Sequence, residues 1–313
     1  MDILNSDCEY AILDGGLATE LEKAGFDLNH PLWSARLILE NPEAIKDVHL
    51  SYLTAGADII TSASYQASFP GCKRMGMSDE EVEKLLRKTV EIASEAREEF
   101  LREILWTGDQ VRIKPLIAAS IGPYGAYLAN GAEYTGDYKV SNSELFDFHA
   151  RRFEILSDTD ADLMLCETVP SFQEASVLRE IIDQSSNGKP AFISFSCKDD
   201  EHINDGSLLR DCAAMLADCE GITAIGINCT PPRFVSNLIE RIREGAPEKE
   251  ILVYPNSGEI YDGESKSWKG ISSEKNFTEF ARDWFLKDAG IIGGCCRTGP
   301  EHIRAIREIA LNQ

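Results

Sequence analysis

The chain has 313 residues, 43% of them hydrophobic, with 31 Lys and Arg against 53 Asp and Glu, a net charge of −22. That apolar content excludes wholesale disorder, and that sign of charge excludes an electrostatic nucleic-acid binder, which needs a cationic face. The length fits two ordinary domains, or one α/β barrel of about 250 residues with extensions.

The N-terminal MDILNSDCEY has neither a basic n-region nor an apolar h-region. The longest uncharged stretch, Pro115 to Ala132, is broken by Gly122, Pro123, Gly125, Asn130 and Gly131. Neither a signal peptide nor a membrane span is therefore expected. Nine cysteines, an odd number with no C-x-x-C pair, argue against a disulfide framework and for a reducing compartment, the cytoplasm.

Eight short apolar runs follow one another along the chain: AILDGG, DIITSASY, KPLIAASIGP, DLMLCETVP, PAFISFSC, TAIGINCTPP, ILVYPNSGE and GIIGGCC. Each is rich in apolar or β-branched residues and ends in turn-forming or polar ones, the mark of buried parallel strands. Amphipathic stretches separate them. The longest, EEVEKLLRKTVEIASEAREEFLREIL, has Ser78 as its candidate N-cap, and the last opens on Pro300 at a first helical position. Asn130–Ser141 and Ile260–Ser272 read as insertions, Cys212 and Cys219 as one apolar helix face, and Cys166 and Cys197 as strand residues. No linker interrupts the rhythm, so the expectation is one (β/α)8 barrel spanning 1–313. An open doubly wound sheet would put a Gly-rich phosphate loop after its first strand, and LDGGLATEL is not G-x-G-x-x-G.

Catalytic groups of such barrels sit at the C-terminal ends of several strands. Asp14 ends the first run here, Ser62 and Ser64 lie late in the second, Glu167 ends the fourth, Cys229 the sixth, Asn256 the seventh, and Cys295–Cys296 the eighth. Three cysteines in one mouth suit a zinc site with an open position, but a neighbouring Cys pair is more often accidental than chelating, and inert core thiols are the alternative. Two carboxylates there suit either an ammonium ligand or helix capping. The five histidines fall away from most strand ends, so a Ser–His or Cys–His hydrolase is disfavoured. Two rivals remain open at this level: a metal-free acid–base enzyme using Asp14 and Glu167, and a zinc- or redox-responsive thiol protein without turnover.

LDGGLATEL, PLWSARLI, NPEAI, TSASYQAS, ASIGPYGAYL, CETVPS, GINCTPP, YPNSGE and GGCCRTGPEHI, in this order and covering nearly the whole chain, resemble the homocysteine S-methyltransferase family. The resemblance implies one zinc ion per chain on Cys229, Cys295 and Cys296. It implies an amino-acid pocket from Asp14, Glu167 and Ser62, with Gly15 and Gly16 offering backbone N–H groups to the substrate carboxylate. It places Trp33, with Asn256, on the donor side. The chain ends soon after the GGCC helix, which resembles the shorter branch that uses S-methylmethionine or S-adenosylmethionine. Methylation of selenocysteine is a variant chemistry of that branch. The implied partners are therefore small molecules, homocysteine and a sulfonium donor, with neither nucleic acid nor membrane, on a monomer or dimer alike.

Overall fold

The computed structural model describes residues 9–27, 37–107, 113–258, 260–262, 267–269 and 274–312. Trp33, Cys8 and His30 lie outside them. Eight parallel strands form one sheet: β1 (Ala11–Ile12), β2 (Ile59–Thr61), β3 (Leu116–Ile121), β4 (Leu163–Val169), β5 (Ala191–Phe195), β6 (Ile222–Asn228), β7 (Glu250–Tyr254) and β10 (Ile291–Ile292), in the order β1-β10-β7-β6-β5-β4-β3-β2. The order leaves β1 and β2 at the two edges. A parallel bridge between Leu13 and Ile59 joins them, with Asp14 N–H donating to Ile59 O and Asp58 N–H to Ile12 O, so the sheet closes into a barrel.

The helices are α1 (Leu17–Lys23), α2 (Leu37–Glu40), α3 (Pro42–Ala55), α4 (Phe69–Arg74), α5 (Asp79–Thr107), α6 (Tyr124–Leu128), α7 (Asn142–Ser157), α8 (Phe172–Gln184), α9 (Leu209–Leu216), α10 (Pro232–Gly245), α11 (Glu274–Leu286) and α12 (Pro300–Ala310). Ser78 caps α5 as expected, its hydroxyl accepting from Glu81 N–H at 3.3 Å, and Pro300 opens α12. The two expected insertions carry structure of their own: a 3-10 turn at Ala132–Tyr134, and a hairpin of β8 (Ile260–Asp262) and β9 (Ser267–Lys269). Two cysteine placements are corrected. Cys197 lies beyond the end of β5, and Cys219 beyond the end of α9, where its thiol donates to Asp183 at 2.9 Å. Both stay buried.

Strand alternation divides the core in two. Ala11, Leu13, Ile59, Ala118, Leu163, Leu165, Phe192, Ala224, Leu252, Tyr254 and Ile291 fill the barrel, while their chain neighbours such as Ile12, Ile60, Ile117, Ile225 and Val253 pack outward against the helices. The lower end is pinned by carboxylates that take up strand N–H groups. Asp58 accepts from Ile12 N–H at 2.9 Å and pairs with Arg307. Asp162 accepts from Ile117 N–H at 2.8 Å and from Arg97 at 2.6 Å. None of the described helices is long and apolar enough to cross a membrane.

Candidate metal centre and amino-acid pocket

The inward positions one step above the apolar filling are polar on strand after strand: Thr61, Ser120, Glu167, Ser194, Asn228 and Tyr254 share the register of the residues that fill the barrel. Cys295 continues the inward series from Ile291 and packs against that filling. Ser194 Oγ donates to Asn228 Oδ1 at 2.8 Å and shares a 2.5 Å hydrogen bond with the Tyr254 hydroxyl. Asn228 also ties β6 to β4, accepting from Thr168 N–H at 2.8 Å and donating to Thr168 Oγ1 at 2.7 Å.

That clamp holds two strained residues. Thr168 (φ 59°) and Cys229 (φ 46°) both sit in the left-handed region, costly for side chains with a Cβ and most so for a β-branched one. Each follows an inward residue, Glu167 and Asn228, and each breaks the strand alternation. Without the break Cys229 would share the outward register of Ile227. With it, the thiol joins the mouth. The β4–β5 register shifts between Cys166 and Val169, bracketing Glu167.

The three expected cysteines meet. Cys229 Sγ lies 2.6 Å from Cys295 Sγ and 3.4 Å from Cys296 Sγ, and all three sulfurs fall within 4.8 Å of one another. Tetrahedral zinc with 2.3 Å Zn–S bonds needs sulfurs about 3.8 Å apart, within reach of small side-chain rotations. Hydrogen bonds from Cys229 and Cys295 hold the Cys296 thiol well below its ordinary value against the cost of burial, and the Tyr134 phenol adds to them. The Asn228 amide approaches Cys295 at 3.9 Å. A set of three converging thiols suits a thiophilic divalent ion.

Asp14 and Glu167 are 5% and 7% exposed. Asp14 accepts from Thr61 N–H at 2.7 Å and Thr61 Oγ1 at 2.8 Å. Burial outweighs those bonds and pushes its carboxyl up to about 7. Glu167 accepts from Ser120 Oγ and is reached by the Tyr254 hydroxyl; burial first, then the charge of Cys295, pushes it up to about 8. Two buried carboxyls without a cation of their own among the described residues form a pocket that an ammonium group would complete.

Three of the expected site residues are already engaged within the protein. Ser62 shares the outward register of Ile60, and its hydroxyl accepts from Ser120 N–H at 3.1 Å while bonding Ser64 Oγ at 2.7 Å, so it clamps β2 to β3. Thr61, one residue earlier and facing inward, is the hydroxyl residue beside Asp14. Gly16 N–H is already given to Thr298 O at 3.0 Å, whereas Gly15 N–H has no partner among the described residues. Both glycines also answer to packing: a Cβ on Gly15 would stand 2.8 Å from Thr298 O, and one on Gly16 2.6 Å from Cys295 O. Asn256 turns its side-chain oxygen back to Gly258 N–H at 3.0 Å, shaping the loop after β7, whose Ser257 N–H bonds Cys296 O at 3.1 Å.

Sequence reasoning also missed a buried brace below the loops after β3 and β4. Glu174 accepts from Tyr124 N–H at 2.6 Å, pairs with His149 at 2.7 Å and takes the Tyr138 hydroxyl. Arg152 closes it on His149 Nδ1 at 2.9 Å. Such a network rigidifies the loops that carry Tyr134. Its members lie on separate elements, and only the burial of charge on amphipathic helices hints at it.

Known proteins carry the same plan. A family model described as homocysteine S-methyltransferase matches residues 11–310. Homocysteine S-methyltransferase 3 of Zea mays is 48% identical over 96% of this chain and 90% of its own. A selenocysteine Se-methyltransferase of Brassica oleracea var. italica is 45% identical over 98% and 90%. The metallated form of the homocysteine methyltransferase MmuM from Escherichia coli superposes with a TM-score of 0.84 at 38% identity, covering 96% of each chain. With a matched family model over nearly its whole length and close relatives over nearly all of theirs, the chain belongs to the homocysteine S-methyltransferase family.

Proposed function

We propose that this protein transfers a methyl group from a sulfonium donor, S-methylmethionine or S-adenosylmethionine, to the thiol of L-homocysteine, yielding methionine. The 1–313 chain acts as one homocysteine-binding domain in the reducing cytoplasm. The observation that carries the reading is the meeting of Cys229, Cys295 and Cys296 within 4.8 Å, in a mouth that also holds two buried carboxyls. The relatives named for homocysteine methyl transfer support it.

Cys229, Cys295 and Cys296 would hold one zinc ion, which when bound keeps a substrate thiol in its nucleophilic thiolate form at neutral pH. Asp14 and Glu167 receive the amino group of homocysteine, and Thr61 and Ser120 fix the two carboxylates by the bonds described above. Gly15 N–H is left for the substrate carboxylate. The homocysteine sulfur then attacks the donor methyl in line. A carbon–sulfur bond forms, the sulfonium carbon–sulfur bond breaks, and its electron pair stays on a neutral thioether. No general base is needed for that displacement, consistent with histidines that lie in the core, in a cap or on the surface among the described residues.

A zinc-loaded, reduced preparation offered homocysteine with S-methylmethionine, S-adenosylmethionine or betaine in parallel tests the reading. Methionine formation is expected with at least one sulfonium donor and not with betaine. Turnover with betaine alone, or with none of the three, contradicts it. Selenocysteine belongs in the same assay as acceptor, because of the Brassica oleracea relative named for that substrate.

A further inference from the structure

We propose that Glu133 receives the positive charge of the methyl donor, an inference that rests on the sulfonium-donor reading above. Glu133 sits in the 3-10 turn Ala132–Tyr134, in the loop that follows β3 at the mouth. Its backbone is fixed over the barrel: its carbonyl accepts from Ser196 Oγ at 3.1 Å and from Asn204 Nδ2 at 3.3 Å. Packing also forbids a side chain opposite it, since a Cβ on Gly125 would meet Glu133 N at 2.5 Å. The side chain is 8% exposed, and Oε2 is enclosed with no hydrogen-bond partner among the described residues. No described cation pairs with it. A buried carboxylate is ordinarily paired, so an enclosed oxygen with nothing to accept marks a place where something else binds.

Its surroundings say what that is. Tyr65 and Tyr134 are half-buried phenols that both feel the charges of Glu133 and of Cys229. The Tyr134 hydroxyl, on the next residue, bonds Cys296. The turn that carries the carboxylate thus also carries a phenol bonded to one cysteine of the triad, and its backbone is held by Ser196 and Asn204 beyond β5. A carboxylate beside phenol rings suits an onium cation. Asp14 and Glu167 are a separate pair, bonded to Thr61 and Ser120 inside the barrel, so the two amino-acid substrates need not share one anionic group. A neutral donor would gain nothing from Glu133, whereas a sulfonium gains charge pairing that the neutral product loses.

The test is Glu133→Gln, a change that keeps shape and removes charge. With zinc-loaded protein and both substrates varied, the donor KM is expected to rise on the order of 10- to 100-fold. The homocysteine KM, the zinc content and the inhibition constant of methionine are expected to stay within about twofold of wild type. The thermal midpoint of the ligand-free variant is expected to equal or exceed that of wild type, since burial pushes the Glu133 carboxyl up and a neutral amide carries no such cost. A wild type that turns over a sulfonium donor, with an E133Q donor KM unchanged, overturns this proposal alone. So does an E133Q protein that melts below wild type or fails to fold. A wild type that uses no sulfonium donor removes the earlier reading with it.

Discussion

Cys296→Ala is expected to abolish stoichiometric zinc and to lower methyl transfer by on the order of 10³-fold or more. Cys296 lies 3.4 Å from Cys229, which also meets Cys295 at 2.6 Å, so it completes the set of three sulfurs. Removing it leaves two thiols, too few to hold a catalytic ion against competing chelators. Metal analysis of the reduced, dialysed variant, beside its rate with saturating substrates, checks the expectation. A variant that lacks zinc yet turns over normally would show that the cysteine cluster does not activate the acceptor. The fold should survive, because Cys296 is only partly buried and belongs to the mouth, while the barrel filling lies below it.

Glu167→Gln is expected to do two opposite things. The homocysteine KM should rise about 10- to 100-fold, the worth of a charge-assisted hydrogen bond of roughly 1.5–3 kcal/mol to the substrate ammonium. Stability should rise at the same time, increasingly as the pH climbs from about 4.5 to about 8. Burial lifts the Glu167 carboxyl from an ordinary 4.5 to about 8, so between those values the folded protein keeps a proton that the unfolded chain has lost. Stability from this group is therefore complete below about pH 4.5 and is lost as the pH rises through about 8. Gln carries no such dependence. The thermal midpoint of E167Q should exceed wild type at pH 8 and match it near pH 4. Donor KM should not change. A loss of donor affinity alone would place Glu167 on the wrong substrate, and an E167Q midpoint below wild type at pH 8 would show that a cation of the protein already pairs with the carboxylate in the ligand-free state. Asp14, lifted to about 7 by the same cause, should behave alike in direction.

The strands and the cysteines were readable because their signals are local. Eight apolar runs closed by turn residues are what parallel strands buried on both faces look like, and a cysteine at a strand end needs only the run to be recognised. Ser62 shows where that logic stops. Thr61 and Ser62 both carry hydroxyls at one strand end, and only the alternation set by Ile59 and Ile60 decides which one enters the pocket. The alternation is visible in the sequence once the filling residues are known, and the filling is fixed by the closed register of eight strands. The polar layer of Ser120, Ser194, Asn228 and Tyr254 is legible only with the same non-local knowledge. Cys229 departs from alternation altogether: its left-handed backbone depends on the Asn228–Thr168 clamp between two strands. Glu133 fell in a stretch read as an insertion, where no periodicity distinguishes a buried carboxylate from a solvated one. Gly15 and Gly16 were read as a pair, yet packing against Thr298 and Cys295 accounts for both, and only one leaves its N–H free.

The central claim is that three cysteines hold a metal with room for one more sulfur, that of homocysteine. X-ray absorption at the zinc edge, on the zinc-loaded protein with and without homocysteine, tests it most directly. The account predicts a first shell of three sulfurs at about 2.3 Å that gains a fourth when homocysteine is added. A shell that already holds four protein ligands, or one that homocysteine leaves unchanged, would contradict it.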